Sequence, residues 1–365
     1  LNFHNPDVVD AILKTCKFWL DRGLDGFRLD TVNYYFHDQE LRSNPPAQAK
    51  PQVMATDLYG MQKNIFNKTR PENIGFLERL RKLTDQYDDI MMVGEVGEMG
   101  RRSIEIMGEY TAGTNRLHMA YSFAMLGPDF TAEHFRNCIE GFQDGAPDGH
   151  PKWSFSNHDV PRHVTRWLEH ATSEDAIARF ACAMLMAFEG TIGIYQGEEL
   201  GQTETELVFE ELTDPPAIRY WPAVKGRDGC RTPMVWEKDA VNAGFSTGKP
   251  WLPVKAPQAA NAVDQQGDGS ILAFYREVIA WRKASPALST GKTTFLNLPE
   301  PILAFTRTSP EETLTCVFNL SADPLVLKVS GDSEVAFGNG ALDGDLELPA
   351  NGYVYLRHDA DVTLS

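Results

Sequence analysis

Asp25-Gly26-Phe27-Arg28-Leu29-Asp30-Thr31-Val32-Asn33 reads as a short apolar strand, entered through glycine, with an arginine and an aspartate set into it. Side chains alternate across a strand, so Arg28 and Asp30 fall on one face and Phe27, Leu29 and Thr31 on the other. Upstream, Asn5-Pro6-Asp7 offers a helix cap, a proline at the first helical position and an acid in the first turn. Val8, Val9, Ile12, Leu13, Cys16, Trp19 and Leu20 follow at helical spacing until Gly23, which predicts a helix with one buried stripe.

Downstream the same alternation continues. The spacing predicts a helix near 75–87, a strand at Ile90-Met91-Met92-Val93-Gly94-Glu95-Val96, a helix near 131–141 and a strand at Trp153-Ser154-Phe155-Ser156. A helix over 173–188, a strand at Thr191-Ile192-Gly193-Ile194-Tyr195 and an amphipathic helix from Ile271 to Trp281 close the series. Helix and strand in turn point to a parallel sheet with helical crossovers. Past about residue 290, short β-runs follow one another with turn residues between, among them Ile302-Leu303-Ala304-Phe305 and Leu314-Thr315-Cys316-Val317-Phe318. These predict a small antiparallel domain. The long connections 34–70 and 196–265 are rich in Pro, Gly and aromatic residues, a composition suited to loops that build a site.

With 365 residues and 42% hydrophobic content the chain can bury a large core. Its formal net charge of −17 and unclustered basic residues argue against nucleic acid or an anionic membrane as partner and favour a neutral small molecule. The longest apolar run, Phe180 to Phe188, is too short to cross a bilayer. Five scattered cysteines, none in CxxC spacing, suggest neither a disulfide framework nor a zinc site, and a reducing cytoplasm is the expected location. The chain opens on Leu1 with no leader, which reads as an interior point of a longer protein.

In a parallel α/β barrel, ligands meet the carboxyl ends of the strands. Three apolar runs here end in acids: Asp30, Glu95 and the block Asn157-His158-Asp159. Each has a plainer account: a rim ion pair for Arg28 and Asp30, a helix N-terminal acid for Glu95, an Asx turn for Asn157 to Asp159. Their joint arrival at successive strand ends favours chemistry. Two carboxyls facing a cleft suit glycoside hydrolysis, one attacking the anomeric carbon as an anion and the other donating a proton to the leaving oxygen. Arg28 is expected to favour the charged form of Asp30, and Glu95, with no cation adjacent in sequence, is the expected acid. Glu98 is the competing choice for that acid; Glu198 and Glu199 are further acids near the expected mouth.

Gly26 to Asp30, Val93-Gly94-Glu95-Val96 and Phe155-Ser156-Asn157-His158-Asp159 resemble, in order, the second, third and fourth conserved regions of glycoside hydrolase family 13, the α-amylase family. Tyr195-Gln196-Gly197-Glu198-Glu199-Leu200-Gly201 and Gly226-Arg227-Asp228-Gly229-Cys230-Arg231-Thr232-Pro233-Met234 are similar to its α-glucosidase and oligo-1,6-glucosidase branch. The resemblance implies Asp30 as nucleophile, Glu95 as general acid/base and Asp159 as the third carboxylate, in a retaining mechanism through a covalent glucosyl-enzyme. It implies substrate-binding roles for Arg28, Thr31, His158 and Arg231, with Asn157 alongside. Tyr34, Tyr35, Phe36 and Trp221 are expected as an aromatic wall against the sugar. Thr31, directly after the nucleophile, implies α-1,4 preference and small α-glucosides such as maltose, sucrose, or aryl and alkyl α-glucosides as substrates.

The fold implied is a (β/α)8 TIM barrel, residues 1–290 being its C-terminal part with strands 4–8, followed by an antiparallel β-sandwich domain over 291–365. The family's first conserved region, first strands and inserted B domain have no counterpart here. The βα units present cannot close an eight-stranded barrel, so another segment, from the same protein or a separate chain, is expected to supply them. No cofactor or metal is expected in the chemistry itself; the resemblance implies a structural Ca or Mg ion in the absent N-terminal part. Hydrolysis and transglucosylation share every residue named, and a non-catalytic scaffold is the reading from another class.

Overall fold

Local chemistry starts the first helix where the sequence places it. In the computed structural model, which describes residues 1–47, 59–360 and 362–365, Asn5 Oδ1 accepts the Asp7 N–H at 2.9 Å and Pro6 opens α1 (Pro6–Leu20). The described residues form two compact units, one of Leu1–Ala124 with Cys138–Lys152, the other of Met125–Asn137 with Trp153–Ser365.

In the first unit α1 leads to β1 (Gly26–Leu29), α2 (Glu72–Thr84), β2 (Met91–Val96), α3 (Gly100–Thr111) and β3 (Met119–Ser122). The strands form a parallel sheet in the order β1-β2-β3. Its register pairs Arg28 with Val93 and Leu29 with Gly94, then Glu95 with Tyr121. Gly94 lets Leu117 and Val32 pack close against the sheet: a Cβ there would lie 2.5 Å from Leu117 Cδ1 and 3.1 Å from Val32 Cγ1. Met92, Val96, Ile106, Met107 and Leu77 are fully buried.

Three expectations change in this unit. Helix α3 and strand β3 were not anticipated. The α1 stripe is only partly buried: Val9 and Leu20 are covered, while Trp19 is 45% exposed. Ile12, Leu13 and Cys16 stay half-buried. The reason lies beside it, since β1 has β2 on one side and no strand on the other among the described residues. Part of the 34–70 connection, residues 48–58, lies outside the described residues.

Helix α4 (Ala132–Gly145) and strand β4 (Lys152–Trp153) have residues in both units. The second unit continues with α5 (His163–Arg166), α6 (Glu174–Ala187), β5 (Thr191–Ile192), α7 (Pro215–Tyr220), α8 (Ala256–Ala260), α9 (Ile271–Ala284) and α10 (Pro286–Thr290). Ser173 and Ser270 cap α6 and α9 through the Ala176 and Ala273 N–H groups. The strands expected at 153–156 and 191–195 are shorter than the apolar runs. Arg166 takes the Phe155 carbonyl and the Ser156 hydroxyl takes the His163 N–H, so side chains satisfy groups a ladder would have used.

The antiparallel strands are β6 (Lys292–Leu296), β7 (Ile302–Thr308), β8 (Thr313–Asn319), β9 (Leu325–Ser330), β10 (Glu334–Gly338), β11 (Ala341–Asp343), β12 (Asp345–Leu348), β13 (Tyr353–Arg357) and β14 (Thr363–Leu364). They form two sheets, β10-β13-β8-β7-β6 and β11-β12-β9-β14, over a core that includes Val317, Leu327, Leu346 and Val354. Tyr355 donates its hydroxyl hydrogen to the Ala183 carbonyl on α6, and Phe180 and Phe188 meet Phe318 and Phe305 edge-on or tilted at 6.0 Å. Arg307, fully buried, donates to the carbonyls of Ala187, Leu288 and Gly291. A buried guanidinium is tolerable when carbonyls take its hydrogens, and here they fasten the sheet to the end of α6.

Candidate active site

The parallel register places the chemistry. Continuing the Leu29–Gly94 pairing by one residue sets Asp30 beside Glu95, and Glu95 is itself paired with Tyr121. Glu95 and Tyr121 are paired in the parallel sheet and so point to the same face, and Asp30 follows directly on the end of β1, making a row at three strand ends that Arg28 ties together. Arg28, two residues before Asp30, reaches into that row. One of its terminal nitrogens meets Asp30 Oδ1 and the other meets Glu95 Oε2. Tyr121 completes the group: its oxygen accepts from Arg28 Nε at 3.3 Å and Nη2 at 3.1 Å, and lies 3.3 Å from Glu95 Oε2, to which it donates.

The two carboxylates differ in setting. The Glu95 side chain is 4% exposed, that of Asp30 69% exposed. The expectation that Glu95 lacks a neighbouring cation is overturned: the register brings Arg28 to both acids, a contact between strands that spacing along one strand cannot reveal. Glu98 is occupied elsewhere, paired with the buried Lys68 at 2.9 Å while Lys68 also donates to the Gly97 carbonyl. Directly after Asp30, Thr31 has φ 38° and ψ 51°. A β-branched residue rarely adopts this left-handed conformation. It turns the chain out of β1 into a single 3-10 turn, Val32–Tyr34.

Of the rings expected as an aromatic wall, Tyr34 and Tyr35 line a groove with Asp30, while Phe36 packs inside the loop. Phe36 is 7% exposed and packs edge-on against Phe3 and His4, and Tyr35 stacks on Phe3 at 5.2 Å. The rings fill the loop because Phe3 and Phe76 supply apolar partners. Trp221 packs on the Leu207, Leu212 and Ala217 cluster. Tyr34 stays half-buried and lines, with Arg28, Asp30, Phe3, Phe27 and Leu1, a groove of about 440 Å³.

Asp159 lies in the second unit, where its own surroundings are well defined. Asn157 Oδ1 accepts the Asp159 N–H at 2.8 Å, the Asx turn that was the plainer account of this block. Asp159 Oδ1 accepts from Arg227 Nη1 and Arg231 Nη2, both at 3.0 Å, and His158 Nε2 is 3.3 Å from Oδ2. Arg231 Nε also donates to the His158 carbonyl at 2.7 Å. Arg231, expected in a sugar pocket, is thus spent on Asp159 and its loop. Arg227, which sequence reasoning passed over, divides itself between Asp159 and the buried Asp214. The hydrogen bonds from Arg227 hold the Asp214 carboxyl below the usual carboxylate range. Asn157 Nδ2 is buried with no hydrogen-bond partner among the described residues.

Tyr121 and Arg227 are the residues the sequence reading missed. A 34-residue gap between the strand ending at Val96 and the helix near 131 was too long for a plain loop, and that signal would have led to β3 and Tyr121. Arg227 stood inside a motif already quoted. Among the described residues no group of three or more His, Cys, Asp or Glu side chains could hold a metal ion.

Comparison with known proteins gives the family. Residues 1–291 match the catalytic domain of α-amylase. The chain is 44% identical over 369 residues to a probable α-glucosidase of Rhizobium meliloti strain 1021, covering 98% of this chain and 67% of that protein. It is 29% identical to a probable oligo-1,6-glucosidase 2 of Bacillus subtilis strain 168, covering 98% and 69%. The crystal structure of the α-glucosyl transfer enzyme XgtA superposes with a TM-score of 0.92 at 44% identity, over 98% of this chain and 68% of XgtA. The chain therefore spans about two thirds of the length of these relatives. With the match running across Asp30, Glu95 and Asp159, the chain belongs to the α-amylase family, whose catalytic barrel is followed here by a C-terminal β domain.

Proposed function

We propose that this chain carries the catalytic carboxylates of a retaining α-glucosidase acting on terminal non-reducing α-glucosidic bonds, with Asp30 as nucleophile and Glu95 as acid and base. The observation that carries the reading is the row Asp30, Glu95, Tyr121 joined by one arginine. Neighbouring strands are about 4.8 Å apart. Carboxylates on adjacent strand ends therefore suit double displacement, which uses a separation of about 5 Å, better than inversion, which needs about 6.5–9.5 Å to admit a water. In the first step the Asp30 oxygen bonds to C1 as the C1–O bond to the aglycone breaks, and Glu95 gives its proton to the departing oxygen. In the second, Glu95 takes a proton from water, the water oxygen bonds to C1 and the Asp30 ester bond breaks.

Asp159 is assigned to the sugar hydroxyls, with His158 and Asn157 beside it and Arg231 and Arg227 holding it in place. The α-1,4 preference for maltose- and sucrose-like substrates rests on Thr31 and is read by comparing maltose with isomaltose. Transfer to a sugar or alcohol in place of water uses the same intermediate. The 44% identity to XgtA keeps that reading beside hydrolysis, and product analysis at high maltose with added alcohol separates the two.

On this reading the strands of residues 1–290 are barrel strands 4–8 and residues 291–365 the appended sandwich. The uncovered side of β1 and the half-covered stripe of α1 receive the remaining barrel units, the B domain and any Ca or Mg loop, from another segment. The five free cysteines fit a cytoplasmic setting; no helix among the described residues is long and apolar enough to cross a membrane. The decisive experiment traps the intermediate with a slow fluorinated α-glucosyl fluoride and maps it by mass spectrometry. A glucosyl adduct on Asp30 is expected; an adduct on another carboxylate, with turnover intact, would overturn the assignment.

A further inference from the structure

Asn33 sits in the 3-10 turn that follows β1, and the chemistry above gives it no part. Its side chain is fully buried. The ladder between β1 and β2 ends at Leu29 and Gly94, one residue short of both carboxylates. Past that point no strand pairing holds the Asp30 backbone to the Glu95 backbone, and the chain turns away at Thr31. Arg28 joins the two side chains. Asn33 joins the two backbones.

The Gly97 N–H, two residues past Glu95, donates to Asn33 Oδ1 at 2.8 Å. Asn33 Nδ2 donates to Thr69 Oγ1 at 3.0 Å, and the Thr69 N–H donates back to the Asn33 carbonyl at 2.6 Å. Lys68, next to Thr69 and itself buried, donates to the Gly97 carbonyl at 3.1 Å and pairs with Glu98 at 2.9 Å. Gly97 is thus gripped at both of its polar groups, the N–H by Asn33 and the carbonyl by Lys68. Space fixes it as well, since a Cβ there would lie 2.8 Å from Tyr34 Cε2. Three segments meet in one closed knot: the turn after Asp30, the turn after Glu95, and residues 68–69 at the end of the long connection. A carboxamide suits its centre because it accepts from one neighbour and donates to another without carrying charge.

We propose that Asn33 is a positioning residue that sets the separation of nucleophile and acid by locking the strand end of Glu95 to that of Asp30. The proposal rests on the reading of Asp30 as nucleophile and Glu95 as acid. General acid catalysis contributes about 10²–10⁴-fold and needs the proton within hydrogen-bond reach of the departing oxygen. A Glu95 backbone that drifts from Asp30 loses that factor most on substrates whose leaving group is a poor anion. Phenyl α-glucoside is one: as Asp30 bonds to C1 and the C1–O bond breaks, the phenol oxygen must take the Glu95 proton. The p-nitrophenolate of p-nitrophenyl α-glucoside leaves more readily as the anion, so it depends less on Glu95.

The test compares kcat/KM on these two substrates, whose rings are nearly one shape, for wild type, Asn33→Leu and Thr69→Val, each assayed together with the segment that completes the barrel. Deuterium uptake by the peptide containing Gly97 is followed alongside. Leucine fills the space of asparagine and makes neither bond, and valine at position 69 removes only the hydroxyl that Nδ2 meets. Asn33→Leu is expected to lose roughly tenfold more on the phenyl than on the p-nitrophenyl substrate, and to speed uptake at least about threefold. Thr69→Val keeps the Gly97 bond and is the variant to read where Asn33→Leu fails to fold; a split of roughly threefold is expected there. A packing defect alone lowers both substrates in step. Equal losses on the two substrates in the folded variants, with wild type active, overturn the proposal, as does wild-type uptake in Asn33→Leu. A wild-type protein that turns over neither substrate overturns instead the reading of Asp30 and Glu95, and the positioning role with it.

Discussion

Replacing Tyr121 by Phe removes one oxygen from the centre of the carboxylate row and nothing else. That oxygen touches Arg28 twice and Glu95 once, at 3.1–3.3 Å. Hydrogen bonds to charged groups contribute about 1.5–3 kcal/mol each at good geometry. These three share one oxygen and are long, so about 1.5 kcal/mol for the set is the reasonable total. If the row is organised for the transition state, that energy is missing there, and kcat/KM on p-nitrophenyl α-glucoside falls roughly tenfold. The ring is expected to stay, because Lys152 sits over its face 4.4 Å from the centroid and Ala120 beside it is fully buried. Thermal unfolding of the variant separates a local effect from a folding defect. A Tyr121→Phe enzyme within twofold of wild-type kcat/KM would refute the argument that the hydroxyl holds Arg28 and Glu95 in register.

Two further substitutions probe how the site is held. Gly26→Ala places a Cβ 1.8 Å from the Met91 carbonyl oxygen at φ 150°; a loss of about 2–3 kcal/mol is expected from the urea midpoint. Gly23→Ala, at φ 87° with nothing within 4 Å, is the control and loses about 1 kcal/mol. Arg227→Met strips the buried Asp214 and half of the grip on Asp159; about 3 kcal/mol is expected, the low end for a broken buried pair because the Arg227 N–H still serves Asp214. The Asp214 carboxyl is held low when folded, so its contribution is present above about 3.9 and disappears as pH falls below that value. The acid limb of the stability profile flattens in Arg227→Met, and an unchanged limb would place that contribution elsewhere.

What the sequence showed and what it hid divides along physical lines. Period-two alternation was enough to put Arg28 and Asp30 on one face, and the two do pair. Capping chemistry located the start of α1, and apolar spacing the starts of α6 and α9, within a residue or two. The links between strands were hidden, because register is a property of two segments together: no spacing in 25–33 announces that Glu95 and Tyr121 stand beside Asp30. Helix α3 escaped because its exposed face is held by charge pairs of Glu105 with Arg101 and Arg102, which blur the apolar stripe. Arg231 was found, but its bonds to Asp159 and the His158 carbonyl were not, since a motif names a residue and leaves its hydrogen-bond partners open.

The exposure of Asp30 leads to the last expectation. A nucleophilic carboxylate gains most from a fixed cation when bulk water is kept away: two unit charges about 4 Å apart interact by about 1 kcal/mol in water and about 4 kcal/mol at an effective dielectric of 20. Here Asp30 is 69% exposed, and the groove beside it is lined by Phe3, Ile12, Cys16 and Phe27, apolar surface of a kind that packs rather than faces solvent. Covering that groove would strengthen the attraction between the Asp30 anion and the positive charge that develops at C1 in the transition state by about 3 kcal/mol, which is more than a hundredfold in rate. The 40.8 kDa chain by itself is therefore expected to hydrolyse p-nitrophenyl α-glucoside at least a hundredfold more slowly than the same chain joined or mixed with the segment that covers β1. Burial of Cys16, half-covered at present, gives a second readout, because thiol labelling there should slow when the segment binds. A monodisperse chain of this mass with full activity and freely labelled Cys16 would show that Asp30 works in the open, and the electrostatic argument for a covered site would fail with it.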